Sequence, residues 1–351
     1  MERCAVGSSG CASAEDTMIL AGDLGGTKCN LALFSRSGKS LKLLASHRYP
    51  TREYAHLPFE SLLKLFLQYV AEQNGALGKE KIRVAGFGGA GAVVHGTLHG
   101  TYVPWALEAR KLAAHLHVRE VLLINDVEAA AFSVPFLSSQ DFLNLNQGSA
   151  EPHKTQALIS AGTGLGEAIL FWDGRHYRAI PTEGGEADFA PRTEREIELL
   201  RHLKTRLPRV CAEEILSGGG FRLIHEFLDA RVRHGAFEQN GSDAAKQITQ
   251  QALAGACDVC VQTLDMWTQA YASEAGNLAL RTLALGGVYV AGGIATKILP
   301  KLRDGSFARS FADKGRFAQV LSRVPLHVVL NEDAPLWGAA RFAAQAAGAK
   351  H

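Results

Sequence analysis

The apolar positions of this chain fall into runs whose period changes along its length. Met18–Gly22 and Asn30–Phe34 are apolar runs on either side of a glycine turn, Asp23–Lys28, which predicts a strand–turn–strand hairpin. A third strand is predicted at Ser40–His47. From Phe59 to Gln73 the period is helical, with Phe59, Leu62, Leu63, Leu65, Phe66, Leu67 and Val70 marking one broad face. Ile82–Phe87 is a short strand that enters a second glycine cluster, Gly86–Gly91, and Leu107–Leu116 is again helical. Val121–Ile124 is an uninterrupted aliphatic run, the pattern of a strand covered on both faces in a parallel sheet.

The same order then recurs. Gln156–Ser160, a glycine turn and Glu167–Trp172 form a second strand–turn–strand unit, followed by helical segments at Glu194–Leu207 and Ser242–Leu280. Thr282–Val290 is a last apolar strand running into Gly292 and Gly293. The closing segment, Ala334–Ala347, is Ala-rich and amphipathic, with Asp333 placed to cap it and Pro335 in its first turn. Two hairpin-led halves predict an α/β, internally duplicated, two-domain protein with a cleft between the domains. The smaller domain is expected at 18–136, with a C-terminal helix at 334–349 packing back on it, and the larger at 137–333. The linker is expected near Pro135–Gln147.

Composition narrows the class. A length of 351 residues suits roughly two domains. With 37 Lys+Arg against 35 Asp+Glu and 21% charged residues, the chain is neither a polybasic nucleic-acid binder nor an acidic disordered segment. No apolar run approaches the ~18 residues of a membrane helix. Residues 1–17 lack the apolar stretch of a secretory signal and are expected to form a disordered leader. The six cysteines do not form a disulfide-scaffold pattern in a chain this long, so a soluble, cytoplasmic enzyme is expected.

Glycine turns invite a nucleotide reading, yet each alone is first a hairpin turn that needs glycine's conformational freedom. Gly25-Gly26-Thr27-Lys28 fails the full P-loop pattern, because Thr27 stands in place of a glycine and Cys29 follows the lysine. Gly162-Thr163-Gly164-Leu165-Gly166 fails the dinucleotide fingerprint, with Glu167 in the last glycine's place and a strand, not a helix, behind it. Their conjunction says more: two such turns, one per half, direct backbone N–H groups and threonine hydroxyls at a polyphosphate. Asp23, at the end of a buried strand, calls for solvent or a cation, and magnesium is the natural partner of a nucleoside triphosphate. Asn125 and Asp126 end a buried strand, where ligands bind in open α/β sheets. Asp126 equally suits the cap of a helix over Val127–Phe132.

The motifs Gly22-Asp23-Leu24-Gly25-Gly26-Thr27, Ile124-Asn125-Asp126, Ala161-Gly162-Thr163-Gly164-Leu165-Gly166, Glu183-Gly184-Gly185, Ala212-Glu213-Glu214-Ile215-Leu216-Ser217-Gly218 and Val290-Ala291-Gly292-Gly293 follow in one order from Met18 to Ala347. In that order they resemble the bacterial-type glucokinases, within the sugar kinase, heat-shock chaperone and actin ATPase superfamily. The resemblance implies a ribonuclease-H-like, actin-like ATPase fold and transfer of phosphate from ATP, with Mg²⁺, to O6 of a hexose, expected to be glucose. By the same resemblance Asp126 is the base that accepts the O6 proton. Asn125, Asp126, Glu183, Glu186 and Glu213 bind the sugar. Gly22, Asp23, Leu24, Gly25, Gly26, Thr27, Gly162, Thr163, Gly164, Gly292 and Gly293 bind the nucleotide, with Asp23 holding Mg²⁺ through water or ATP. A homodimer is implied, with no nucleic-acid or membrane partner.

Three departures from the family pattern fall near the sugar: Glu186 where relatives carry His, Tyr102 where they carry Asn, and Gly88-Gly89-Ala90-Gly91 where they carry Pro-Val-x-Gly. A kinase for mannose, fructose or an amino sugar is therefore the alternative, and a non-enzymatic sugar sensor a more distant one. The extra acid beside Glu183 is expected to raise one pKa of the group. Cys257-Asp258-Val259-Cys260 sits in a helical stretch, and zinc would need two more ligands, none at the usual spacing. His95 and His99 read as surface residues, and Met266, Trp267 and Tyr271 as core or interface.

Overall fold

The computed structural model describes residues 17–73, 81–100, 103–229, 231 and 241–348. It divides into two compact units: the described residues up to Ile124 together with those from Ala339, and Asn125–Gly338. The expected leader, apart from Thr17, and the Thr101-Tyr102 departure lie outside the described residues.

In the first unit, β1 (Thr17–Leu24), β2 (Lys28–Ser37) and β3 (Ser40–Pro50) are followed by α1 (Thr51–Tyr54), α2 (Phe59–Gln73) and β4 (Ile82–Gly89). A small antiparallel meander, β5 (Gly91–Val94), β6 (Thr97–Gly100) and β7 (Leu107–Glu108), then leads to α3 (Ala109–Leu116) and β8 (Glu120–Asn125). The main sheet has the order β3-β2-β1-β4-β8, with β1 antiparallel to β2 and parallel to β4. Every residue of β1 after Thr17 is buried, as its unbroken apolar run requires. Leu62, Leu63, Phe66 and Val70 of α2 join Leu20, Leu31 and Phe87 in the core. Each such side chain, fully buried, contributes about 1.5–3 kcal/mol. The meander was not expected; His95 and Gly96, both at positive φ, form the two-residue tip of its β5–β6 hairpin.

The second unit opens with α4 (Asp126–Ser133), β9 (Phe142–Asn144), β10 (Gln156–Ala161), β11 (Leu165–Trp172) and β12 (Tyr177–Pro181). There follow α5 (Glu194–Leu203), α6 (Ala212–Leu216), α7 (Gly218–Leu228), α8 (Gly241–Leu253), α9 (Asp258–Thr282), β13 (Gly287–Ala291), α10 (Gly293–Lys297), α11 (Leu299–Leu302), α12 (Ser306–Ala312), α13 (Ala318–Leu321), β14 (Leu326–Val329) and α14 (Ala334–Gly348). The sheet runs β12-β11-β10-β13-β14-β9, and again its first hairpin strand is antiparallel to the second and parallel to a later strand. Both faces are covered: Ala157 and Ile159 face the core that holds Trp267 and Tyr271, while Leu158 packs with Ala130 and Ala131 of α4. Trp267 stacks on Phe221, and the Tyr271 hydroxyl donates to the Ile159 carbonyl at 3.1 Å, so both aromatics are core residues.

Several boundaries differ from the periodicity. The expected helix Ser242–Leu280 is two helices, broken where Gly255 takes φ +64°. Thr282, expected in a strand, still belongs to α9, which ends at Leu283 in the left-handed region; the strand itself starts at Gly287. The units part between Ile124 and Asn125, not within Pro135–Gln147, because α4 packs on β10, β11 and β12. The first residues of α14 count with the second unit and the remainder with the first. Gly338 and Gly86 allow these approaches, since a Cβ on either would strike the Ala129 or Ala339 carbonyl.

Candidate active site

Asp126 is held by the end of β8 and the start of α4. Asn125, not Asp126, is the N-cap: its Oδ1 accepts from the Val127 and Glu128 amides at 2.9 and 3.2 Å. The Asn125 amide donates back to the Glu128 carboxylate, which burial nevertheless pushes up to about 7. This is a reciprocal box of the Asn-x-x-Glu kind. With the cap taken by its neighbour, Asp126 occupies the first helical position, its Oδ1 accepting from the Val127 amide at 2.9 Å. Burial raises its pKa, and the Glu183 charge adds to that rise.

Three acid-bearing segments converge on the first residues of β11. A Cβ on Gly166 would strike Val127, so α4 rests directly on that strand. Leu165 donates its amide to Glu213 Oε2 at 2.8 Å, and a Cβ on Gly185 would strike the Leu165 carbonyl. A Cβ on Gly184 would strike the Glu167 side chain, while Thr182 Oγ1 donates to the Glu167 carbonyl at 2.9 Å. The paired glycines after Glu183 thus let the acidic loop lie against the strand. Backbone pairing of Ala187 with Ala212 and Phe189 with Val210 ties the same loop to α6, which carries Glu213. The structure therefore brings Asp126, Glu183 and Glu213 to one edge of the second sheet.

Glu186 and Asp188 are exposed and meet Arg209, which donates Nε to Asp188 Oδ1 at 2.8 Å and Nη2 to the Glu186 carbonyl. The Arg209 Nη1 to Glu186 Oε2 separation is 4.0 Å. The raised carboxyl of the group is Asp126, with Glu183 as its like-charged neighbour, whereas the extra acid Glu186 lies beside a guanidinium. Sequence reading missed Arg209, Glu128 and Glu167. Only Glu128 had a local signal, three residues after Asn125. Glu167 is 3% exposed, and burial together with Glu274 pushes it up to about 7 against the Arg281 charge.

The glycine turns differ in their supports. In the first unit Gly25 donates to the Lys28 carbonyl at 2.9 Å, Thr51 Oγ1 donates to the Gly25 carbonyl at 2.7 Å, and the Thr51 amide reaches the Thr27 carbonyl. Gly22 is buried in β1, where a Cβ would lie 2.7 Å from Phe87; Leu24 is also buried, while Gly26 and Thr27 are exposed. Asp23 is 8% exposed, with Asn30 Nδ2 at 3.4 Å from Oδ2. In the second unit Gly162 donates to the Gly164 carbonyl at 2.8 Å and accepts from the Gly218 amide at 2.9 Å. Thr163 is exposed, and the space beside Gly162 and Gly293 is open, with nothing within 4 Å of a Cβ at either. The two glycines follow paired parallel strands, and Gly292, just before Gly293, takes φ +90°. Such glycine turns leave backbone amides open to an anion such as phosphate.

Two further readings concern other residues. Gly88 and Gly89 belong to β4 beside Asp23 and Leu24, and Gly91 takes φ +140°, so this departure serves close strand packing. Cys257 and Cys260 gain His225 as a neighbour. His95 and His99 are exposed, as expected. Among the described residues no helix is long and apolar enough to cross a membrane.

Comparison with known proteins bears on the family and the fold. The family model described as Glucokinase matches residues 20–346. A glucokinase of Nostoc sp. is 38% identical over 349 residues, covering 94% of this chain and 99% of the relative. A solved glucokinase from an Antarctic psychrotroph superposes with a TM-score of 0.79 at 27% identity, covering 93% of this chain and 99% of the other. A glucokinase from Balamuthia mandrillaris, solved with glucose, has a TM-score of 0.74 at 19% identity, with 95% of each chain covered, and shares the fold.

Proposed function

The chain belongs to the glucokinase family, and from that premise we propose that it transfers the terminal phosphoryl group of ATP to the O6 hydroxyl of glucose, giving glucose 6-phosphate and ADP. The observation that carries the reading is the convergence of Asp126, Glu183 and Glu213 on the start of β11. Carboxylates accept hydrogen bonds from sugar hydroxyls, often two at a time, and several acids on one edge suit a polyol better than an anion. Asn125, Glu183, Glu186 and Glu213 bind the sugar in this reading. Asp126 accepts the O6 proton. Its raised pKa makes it a better base than an exposed carboxylate, and Val127 fixes the orientation of its carboxyl.

Phosphoryl transfer needs little covalent help, so alignment and charge neutralisation dominate. The backbone amides of Gly25–Thr27, Gly162–Gly164 and Gly292–Gly293 are the nucleotide's proposed partners. Asp23, a buried carboxylate at a strand end, is the proposed partner of a hydrated cation. Magnesium, when bound, neutralises phosphate charge. The family resemblance also supports a cytoplasmic homodimer.

The test is ADP release with ATP and Mg²⁺ against glucose, mannose, fructose, glucosamine and N-acetylated sugars. Turnover with glucose is expected to exceed the others by about tenfold or more, and Asp126→Asn to lower kcat by about 10²–10⁴-fold while glucose binding persists. ATP binding without hexose-stimulated turnover would overturn the sugar assignment, and an active Asp126→Asn would overturn the base.

A further inference from the structure

The chemistry above leaves His225, Cys257 and Cys260 unused. Their ligand-capable atoms, an imidazole nitrogen and two sulfurs, all lie within 4.8 Å of one another. His225 and Cys260 are fully buried, and Cys257 is partly exposed. From this cluster we infer a binding site for one zinc-class divalent ion, held by Cys257, Cys260 and His225 with a water as fourth ligand.

The helices set the geometry. Cys257 is the N-cap of α9 and Cys260 lies one turn in, its amide 3.4 Å from the Cys257 sulfur. His225 lies in the last turn of α7, one turn beyond Phe221 on the same face. Phe221 stacks on Trp267 with ring centroids 4.6 Å apart, and Trp267 shares the Cys260 face of α9. Core packing thus fixes the register that carries His225 to the cysteines. Tetrahedral zinc with Zn–S bonds of about 2.3 Å holds its sulfurs about 3.8 Å apart, so the cluster needs only small side-chain adjustments to close.

Donor chemistry selects the ion. Two sulfurs and an imidazole suit Zn²⁺, with Co²⁺ and Cd²⁺ as probes, and disfavour Mg²⁺ and Ca²⁺. On binding, both thiols release their protons to solvent. The two thiolates then offset the ion's two charges, which avoids burying net charge. Three protein ligands leave one position, and partly exposed Cys257 marks the side from which water reaches it.

The ion joins the end of α7 to the start of α9 and closes the intervening chain into a loop. Gly218, which donates to the Gly162 turn, lies two turns back along α7, about 10 Å from His225. Stability should respond to the metal more than turnover.

The experiment uses the full chain, reduced, stripped with a chelator and titrated with Co²⁺. One equivalent should give sulfur-to-cobalt charge-transfer bands and tetrahedral visible bands, both displaced by Zn²⁺. Zinc at about 100 times its Kd should raise Tm by several degrees. Cys257→Ser and Cys260→Ser should each remove the bands and the Tm shift, and His225→Gln should change the visible bands. Where a cysteine variant fails to fold, zinc protection of Cys257 against alkylation in the wild-type chain, mapped by peptide mass, reads the same site. No sulfur bands, bands that survive both cysteine variants, or a Cys257–Cys260 disulfide that takes no metal after reduction would each overturn the assignment.

Discussion

The two glycine hairpins occupy the same place in their sheets but are supported by different chemistry. In each, the first strand is antiparallel to the second and parallel to a later strand. The β1–β2 turn carries a buried acid, Asp23, and is braced by the Thr51 hydroxyl. The β10–β11 turn has Ser160 at the corresponding position and is braced by a carboxylate, Glu213, and by the first amide of α7. The first turn thus carries its acid within its own strand, whereas the second is tied to an acid from another helix. Under the proposed function the first acid would serve a cation, and sugar bound at Glu213 would be linked to the shape of the second turn.

The sharpest test of that difference truncates the side chains at the corresponding positions. Asp23→Ala should lower kcat/KM for ATP about 10²–10³-fold, whereas Ser160→Ala should change it by about twofold or less. Equal effects in steady-state kinetics would erase the distinction. Next come the two braces. Glu213→Gln should raise KM for glucose and for ATP together by about tenfold, through loss of the charged acceptor at Leu165. Thr51→Val should leave both KM values in place and cost about 1 kcal/mol in stability. A response confined to glucose would break the link between sugar and turn.

Glu167, beneath the acidic loop, gives a pH-dependent test. Its pKa rises from 4.5 unfolded to about 7 folded, so between those values the native state binds more protons. Its contribution is whole below pH 4.5 and lost as pH rises through about 7. Glu167→Gln should therefore stabilise the protein at pH 8 by on the order of 2 kcal/mol, with no gain at pH 4.5, as read by denaturant melts. The smallest effect separates two glycines of one turn. A Cβ at Gly164 would lie 2.5 Å from Glu213 Oε2, so Gly164→Ala should lower Tm. Gly162→Ala meets nothing within 4 Å and should keep Tm while weakening ATP binding by about 1 kcal/mol.

Much of the fold is legible along the chain. β1, β2, β4, β8, β10 and α2 follow from unbroken aliphatic runs and a clear helical period. The β5–β7 meander was missed because Gly91–Gly100 is short, glycine-rich and weakly alternating. α6 was missed because it is only five residues long, and α7 because Gly218, Gly219 and Gly220 obscure its start. Asn125 and Asp126 were legible as polar residues closing a buried strand, but which of them caps α4 was not, since either suits a cap.

Local sequence determined the duplicated strand–turn–strand units, since dihedral preference and burial period act over a few residues. The six ordered motifs gave the family on the same footing. Tertiary structure decided what each motif touches. Residues far apart in the chain meet at Leu165–Glu167, and the arginine beside Glu186 comes from the segment after α5. His225 meets the Cys257/Cys260 pair where α7 packs on α9, with Phe221 stacked on Trp267. Such meetings depend on long-range packing, which no local period encodes, so the chemistry of isolated residues became a site only once the chain had folded.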